Sequence, residues 1–218
     1  MARDLHKLLQ QAGYKSPYIL VGHSLAGVIL RSFIAQYPSE VGGIVLVDAS
    51  HPDQRQRFPP DPPSAFPALD PSPGLVRLVG TTGLIRIFSY EVYPGTKAGD
   101  SINLINNAFM ATSLAAAVEE QQRVPALMTE ARRITSFGDI PLIVITGTSP
   151  SRYQEYTDVV LRQQTTQTWR QLQHELLRLS TQSQQVFAPK SGHYVQLQQP
   201  ELVTAAIRKL VNQVNASH

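Results

Sequence analysis

The sequence predicts an α/β fold built on a parallel sheet, and three observations carry that prediction. Short aliphatic runs at Tyr18–Val21, Ile44–Val47 and Pro141–Thr146 lack the polar alternation of a half-exposed strand, as strands buried on both faces do. Segments with helical spacing of apolar residues separate these runs, the alternation expected of parallel strands joined by right-handed crossovers. The stretch Tyr18 to Gly27, Tyr-Ile-Leu-Val-Gly-His-Ser-Leu-Ala-Gly, passes from strand to helix through a turn of small residues.

Each element follows from its own pattern. Leu5, Leu8 and Leu9 give the first eleven residues one apolar helical face, and Gly13 and Pro17 then turn the chain into the first strand. After the turn at Ser24, the apolar residues Ile29, Phe33, Ile34 and Tyr37 mark a helix that Pro38 closes. Gly42-Gly43 introduces the strand Ile44–Val47, which ends at Asp48. From Pro52 to Pro73, closely spaced prolines forbid regular helix or sheet, so this stretch reads as an extended arm. Leu75–Phe88 and Ser101–Arg133 are rich in helix formers, with Gly80, Gly83 and Pro125 as expected interruptions. Pro141–Thr146 is the third strand, and a helix follows from about Thr157 to Ser180, with Trp169, Leu172, Leu176 and Leu179 on its buried stripe and its glutamines in solvent. A short strand, Gln185–Ala188, leads to Ser191-Gly192-His193, and Pro200 opens the last helix. The expected organisation is a core of residues 1–52 and 139–218 interrupted by the arm and a helical insertion over 53–138.

Composition narrows the function. In 218 residues, 42% hydrophobic and 16% charged side chains describe one globular domain with room for an insertion, and no apolar run reaches the roughly 18 residues of a membrane span. A net charge of +3 with scattered basic residues does not describe a nucleic-acid surface. The absence of cysteine excludes disulfides, thiolate metal sites and a cysteine nucleophile. No His, Asp and Glu cluster has metal-ligand spacing and no phosphate loop is present, so no cofactor is expected. No secretory signal is visible, and the expected location is cytoplasmic.

Gly22-His-Ser-Leu-Ala26 resembles the nucleophile elbow of the α/β-hydrolase family, Gly-x-Ser-x-Gly, with Ala26 at the second glycine and Gly27 following. A serine at such a turn stands above the sheet at a helix N-terminus, where the helix's partial positive charge favours a developing anion. Ser24, Asp48 and His193 each follow the carboxyl end of a strand, the edge where open parallel sheets build their sites, and they occur in the Ser, Asp, His order of the family. A serine hydroxyl is a poor nucleophile until an imidazole takes its proton, and that imidazole needs an acid to fix its tautomer. The resemblance allows the acid after either of two strands, so Asp48 stands first and Asp158 or Glu155 are alternatives. Asp139 precedes its strand, at the wrong edge, Asp53 reads as a cap for the arm, and His23 as a packing neighbour rather than a base. The Leu25 N–H is one oxyanion donor.

The resemblance implies a parallel-sheet α/β-hydrolase core, truncated at the N-terminus, with the insertion as a helical cap. It implies a serine hydrolase cleaving small-molecule carboxylic esters through an acyl-enzyme on Ser24. Phe58, Phe66, Leu69, Phe109 and Met110 are candidates for an apolar substrate pocket, and His51 for the cleft. The family's second oxyanion donor lies on an early loop for which this chain shows no segment. That motivates a second reading, a non-catalytic fragment or binding scaffold, with a self-associating or upstream-segment-binding edge at Tyr18–Val21.

Overall fold

The structure, a computed structural model, describes residues 1–59, 74, 97, 99–154 and 156–216. Among them the sheet has four strands, β1 (Tyr18–His23), β2 (Val41–Val47), β3 (Leu142–Gly147) and β4 (Ser183–Ala188), paired in parallel in the order β1-β2-β3-β4. The register sets His23 beside Val47 and Val47 beside Ile145, so the chain leaves β1 and β2 at one edge with Ser24 and Asp48 as the next residues. Gly147 and Ala188, paired at the ends of β3 and β4, bring the following loops to the same edge.

The uninterrupted apolar strands serve two cores at once because successive side chains point to opposite faces. Ile44, Leu46, Leu142 and Val144 pack on one face with Leu20, Phe33 and Ile34. Val45, Val47, Ile143 and Ile145 pack on the other with Ala206 and Leu210. The helices that supply these partners are α1 (Ala2–Gln11) and α2 (Ala26–Gln36) on the first face and the terminal helix on the second. In order after α2 come α3 (Gln54–Arg57), α4 (Ser101–Arg132), α5 (Val159–Glu175), α6 (Val195–Gln198) and that terminal helix, α7 (Pro200–Ala216).

Several local expectations change. Leu5 and Leu9 of α1 pack against the core while Leu8 is 61% exposed, because the core touches a narrower stripe than three leucines cover. Helix α2 is buried on more than one face, from Gly27 to Ile34, and that burial includes Arg31, which donates to the carbonyls of Ala131 and Ile134 at 3.3 Å each. A cation there meets carbonyls at and just beyond the C-terminal end of α4, which the helix dipole makes negative. Gln173 leaves the solvent face expected of the α5 glutamines, since it is buried and donates to the Ala49 carbonyl at 2.7 Å.

The described residues fall into two compact units, Met1–Pro63 with Leu127–His218, and Ser64–Ala126. Both ends of the 53–138 segment therefore lie with the first unit. Asp53 accepts from Arg132 Nε at 2.6 Å, Arg57 pairs with Glu175 at 2.7 Å, and Phe137 joins the core. The second unit contributes most of α4, which continues through Pro125 instead of breaking there. Proline removes one hydrogen bond from a helix interior, and the Ala, Glu, Gln and Arg residues around it supply the propensity to continue. The helix expected at Leu75–Phe88 lies outside the described residues.

Close approach of β1, α2 and the loop after β2 depends on Gly27, where an added Cβ would stand 2.5 Å from Ala49 Cβ. Gly27→Ala is expected to cost about 1–3 kcal/mol by overpacking. Thermal unfolding of the variant beside the parent checks this, and an unchanged Tm would show that the contact relaxes freely.

Candidate active site

Strand β1 ends at His23, and Ser24 turns the chain into α2 with φ 54°, a left-handed conformation that a non-glycine residue holds at a cost of about 1–3 kcal/mol. The surrounding fold secures it. Ser24 N–H donates to the Val47 carbonyl at 3.3 Å, and the Ser24 carbonyl accepts from Ser50 N–H at 2.9 Å, tying the turn to the end of β2. Leu25, the N-cap of α2, donates no backbone hydrogen bond among the described residues.

Asp48 follows β2, also in a left-handed conformation at φ 43°, and its side chain is completely buried. Its two carboxylate oxygens accept from four donors. Oδ1 takes Gly147 N–H at 3.0 Å and the Trp169 indole N–H at 3.1 Å, while Oδ2 takes Arg152 at 2.7 Å and His193 Nδ1 at 2.7 Å. A buried carboxylate needs this degree of satisfaction, and four donors fix its rotamer as well as its charge. Strand β3 can come so close to the His193 loop because Gly147 has no side chain, and a Cβ there would collide with the backbone of Gly192.

His193 leaves the loop after β4. With Nδ1 directed at Asp48, its carbonyl meets His23 Nε2 at 2.9 Å, and the two rings lie 4.5 Å apart. His23 thus touches the backbone of the loop, as expected of a packing neighbour. Ser24 and His193 line one cavity of about 460 Å³, together with Phe58, Trp169 and Tyr194. Among the described residues no hydrogen bond joins the serine to the imidazole, a separation common before substrate tightens such sites.

The remaining expected residues are scattered. Phe58 lines the cavity, with its ring edge-on to Tyr153 and Trp169 at 6.1 Å. Phe109 lies on α4 in the second unit with an exposed side chain, Met110 is on the same helix, and Phe66, Leu69 and Glu155 lie outside the described residues. Asp158 is occupied as the N-cap of α5, accepting from Val160 N–H at 2.7 Å and Leu161 N–H at 3.2 Å. Asp53 makes no side-chain cap to α3 and pairs with Arg132 instead.

His51 does not line the Ser24 cavity. It borders a separate one of about 250 Å³ with Arg31, Asp53, Arg132 and Glu175. Burial first, and then the Arg31 and Arg57 charges, push its imidazole down to about 4 against the opposing pull of Asp53 and Glu175. The folded protein therefore binds fewer protons at His51 than the unfolded chain. The associated stability is present above about pH 6.5 and is lost as pH falls toward 4, on the order of 3 kcal/mol in all. In His51→Gln the slope of unfolding free energy against pH over that window is expected to flatten, and urea titrations at several pH values measure it.

Two residues at Asp48 were absent from the sequence expectations in that role, Arg152 and Trp169. Trp169 was legible as a buried residue of α5, and Arg152 only as a residue in a loop leaving the carboxyl end of a strand. Among the described residues no group of His, Asp or Glu could hold a metal ion, and no helix is long and apolar enough to cross a membrane.

Comparison with known proteins agrees with the architecture. A protein of Gibberella zeae described as an AB hydrolase superfamily protein is 27% identical over 235 residues, covering 98% of this chain and 71% of its own length. A protein of Hormonema carpetanum described as a probable transporter is 27% identical over 245 residues, which cover 99% of this chain but 32% of that protein. Among solved structures, a probable hydrolytic enzyme from Pseudomonas aeruginosa superposes with a TM-score of 0.58 at 18% identity, covering 96% of this chain and 67% of that one, a likeness of fold. The family model of the alpha/beta hydrolase family matches residues 1–206. On its sequence and its four-stranded parallel sheet alike, the chain belongs to the alpha/beta hydrolase family.

Proposed function

We propose that the chain is a serine hydrolase that cleaves carboxylic esters through an acyl-enzyme on Ser24. The observation that supports this most directly is the 2.7 Å hydrogen bond from His193 Nδ1 to the buried Asp48, made at the edge of the cavity that Ser24 also lines. Committing Nδ1–H to the carboxylate leaves Nε2 as the nitrogen that accepts a proton. Ser24 Oγ attacks the ester carbonyl carbon as Nε2 takes the hydroxyl proton. Asp48 stabilises the imidazolium, and Nε2 returns the proton to the departing alcohol as the C–O bond breaks. Water then enters, gives a proton to Nε2, and releases the acid by the reverse sequence. Leu25 N–H, at the head of α2, is the donor assigned to the oxyanion, and Phe58 is the apolar surface assigned to the substrate.

A fluorophosphonate tests this reading, since it phosphonylates an activated serine. The expected result is a single added mass on the peptide containing Ser24, loss of 4-nitrophenyl butyrate turnover, and neither label nor turnover in Ser24→Ala. An unlabelled Ser24 in folded protein, with the ester intact, would overturn the proposal and favour a non-catalytic scaffold. One observation supports a scaffold role. Strand β1 has its partner β2 on one side alone among the described residues, and Val21 on it is exposed. Such an edge pairs with further strands, from a second copy or an added segment, and size-exclusion chromatography of residues 1–218 reads that association.

A further inference from the structure

We infer that the ester this site accepts carries a carboxylate of its own, held by Arg152. The inference rests on the proposed ester chemistry for its kinetic consequence and on Arg152 itself for its binding consequence. Arg152 lines the Ser24 cavity, and its side chain is nine-tenths buried, 9% exposed. A guanidinium has five N–H donors. Here one hydrogen bond is made, from Nη1 to Asp48 Oδ2, and Nε is buried with no partner among the described residues.

The aromatic neighbours determine what Arg152 can still offer. Its guanidinium carbon lies over both the Tyr153 and Trp169 rings, 4.8 Å and 4.5 Å from their centres, in cation–π contact with each. Phe58 braces both rings edge-on. Contacts of this kind hold the guanidinium in place beside the cavity, with one N–H of Nη1 committed to Asp48. An arginine anchored in this way is preorganised for an anion, and a carboxylate can accept from the remaining N–H groups of its terminal nitrogens.

The charge of the cavity agrees. Its described lining includes Arg152 and His193 but no Asp or Glu, and Asp48 stands behind them, fully buried and already paired. Among the described residues, an anionic group in the cavity therefore meets a guanidinium and no acid in the lining. Ser50, Gln54 and Gln198 add polar groups to the same lining. A purely apolar substrate would leave these groups and the remaining Arg152 N–H groups desolvated without partners, which is unfavourable. A half-ester of a dicarboxylic acid engages both parts of the lining, its ester at Ser24 and its free carboxylate at Arg152.

The test compares mono-(4-nitrophenyl) glutarate with its neutral methyl ester, and measures glutarate binding by calorimetry, in the parent protein, Arg152→Gln and Arg152→Lys. The parent is expected to prefer the charged ester by at least about tenfold in kcat/KM and to bind glutarate. Arg152→Gln should lose both, and Arg152→Lys should keep a reduced preference, since lysine retains charge without the fork. Far-UV spectra and Tm establish that the variants are folded. If Arg152→Gln does not fold, the comparison of the two esters in the parent, repeated at high salt, decides alone. Equal turnover of the two esters, or a preference that survives in folded Arg152→Gln, would overturn the inference. If neither ester turns over and Ser24 resists the fluorophosphonate, the hydrolase reading fails. In that case glutarate binding that depends on Arg152 still supports the anion site, and its absence in the parent sinks it.

Discussion

Asp48→Asn is expected to lower kcat for 4-nitrophenyl butyrate by about 10⁴-fold, the scale of losing the correct histidine tautomer in a serine triad. The geometry says why the loss is so large for one exchanged heavy atom. Asn can still accept from Gly147 N–H and the Trp169 indole through its carbonyl oxygen. Its amide nitrogen then faces Arg152 and His193 Nδ1, both of which are donors to Asp48 Oδ2. His193 escapes a donor–donor clash by moving its proton to Nε2, the nitrogen proposed to accept from Ser24. Arg152 has no such escape, so stability should fall by about 1–3 kcal/mol as well. Asp158→Asn serves as the contrast. Asparagine caps a helix as well as aspartate does, and activity should not change. Full activity in Asp48→Asn with loss in Asp158→Asn would move the acid to the loop after β3.

Gly147→Ala is the second substitution with a large expected effect, and it touches no reacting atom. The added Cβ would occupy the place of the Gly192 backbone, one residue before His193. Backbone cannot swing aside as the end of a flexible side chain can, so the His193 loop must shift. A displacement of about 1 Å in a catalytic group costs on the order of 10²-fold in rate. Tm should fall too, by the equivalent of about 1–3 kcal/mol. Gly138→Ala separates general strain from this specific collision. Gly138 has φ 68° but no atom within 4 Å of a built Cβ, so alanine there should lower Tm and leave kcat alone. A Gly147→Ala protein with parental kcat would show that the loop does not position His193.

The parts of this molecule legible in its sequence are those where one physical demand acts on neighbouring residues. Ile44–Val47 must be apolar on both faces because cores lie on both, and that demand produces an unbroken run. The turn at Ser24 must be small, and Gly22 and Gly27 record it. Asp48 and His193 were legible because strand ends in a parallel sheet converge, so position along the chain translates into position in space. Arg152 was not, since its meaning comes from Trp169, on the next helix, and from Asp48, on another strand's loop. Gln173 was misplaced for a related reason. The glutamine spacing in α5 describes a solvent face, and the buried Ala49 carbonyl that Gln173 satisfies leaves no trace in that spacing. Pro125 marks where local propensity is weakest, yet the helix passes through it.

The indole that donates to Asp48 is also the chain's single tryptophan. Intrinsic emission excited in the indole band therefore comes from one ring, whose N–H touches the buried carboxylate and whose face lies 4.5 Å from the Arg152 guanidinium. Indole emission responds to nearby charge, so the site carries its own optical probe. An anion reaching Arg152, an imidazolium forming at His193, or the His193 loop lifting from Gly147 would each alter the colour or intensity of that light. Stopped-flow mixing of unlabelled protein with a candidate ester could then follow the events around Asp48 in real time, turn by turn, before any product is counted.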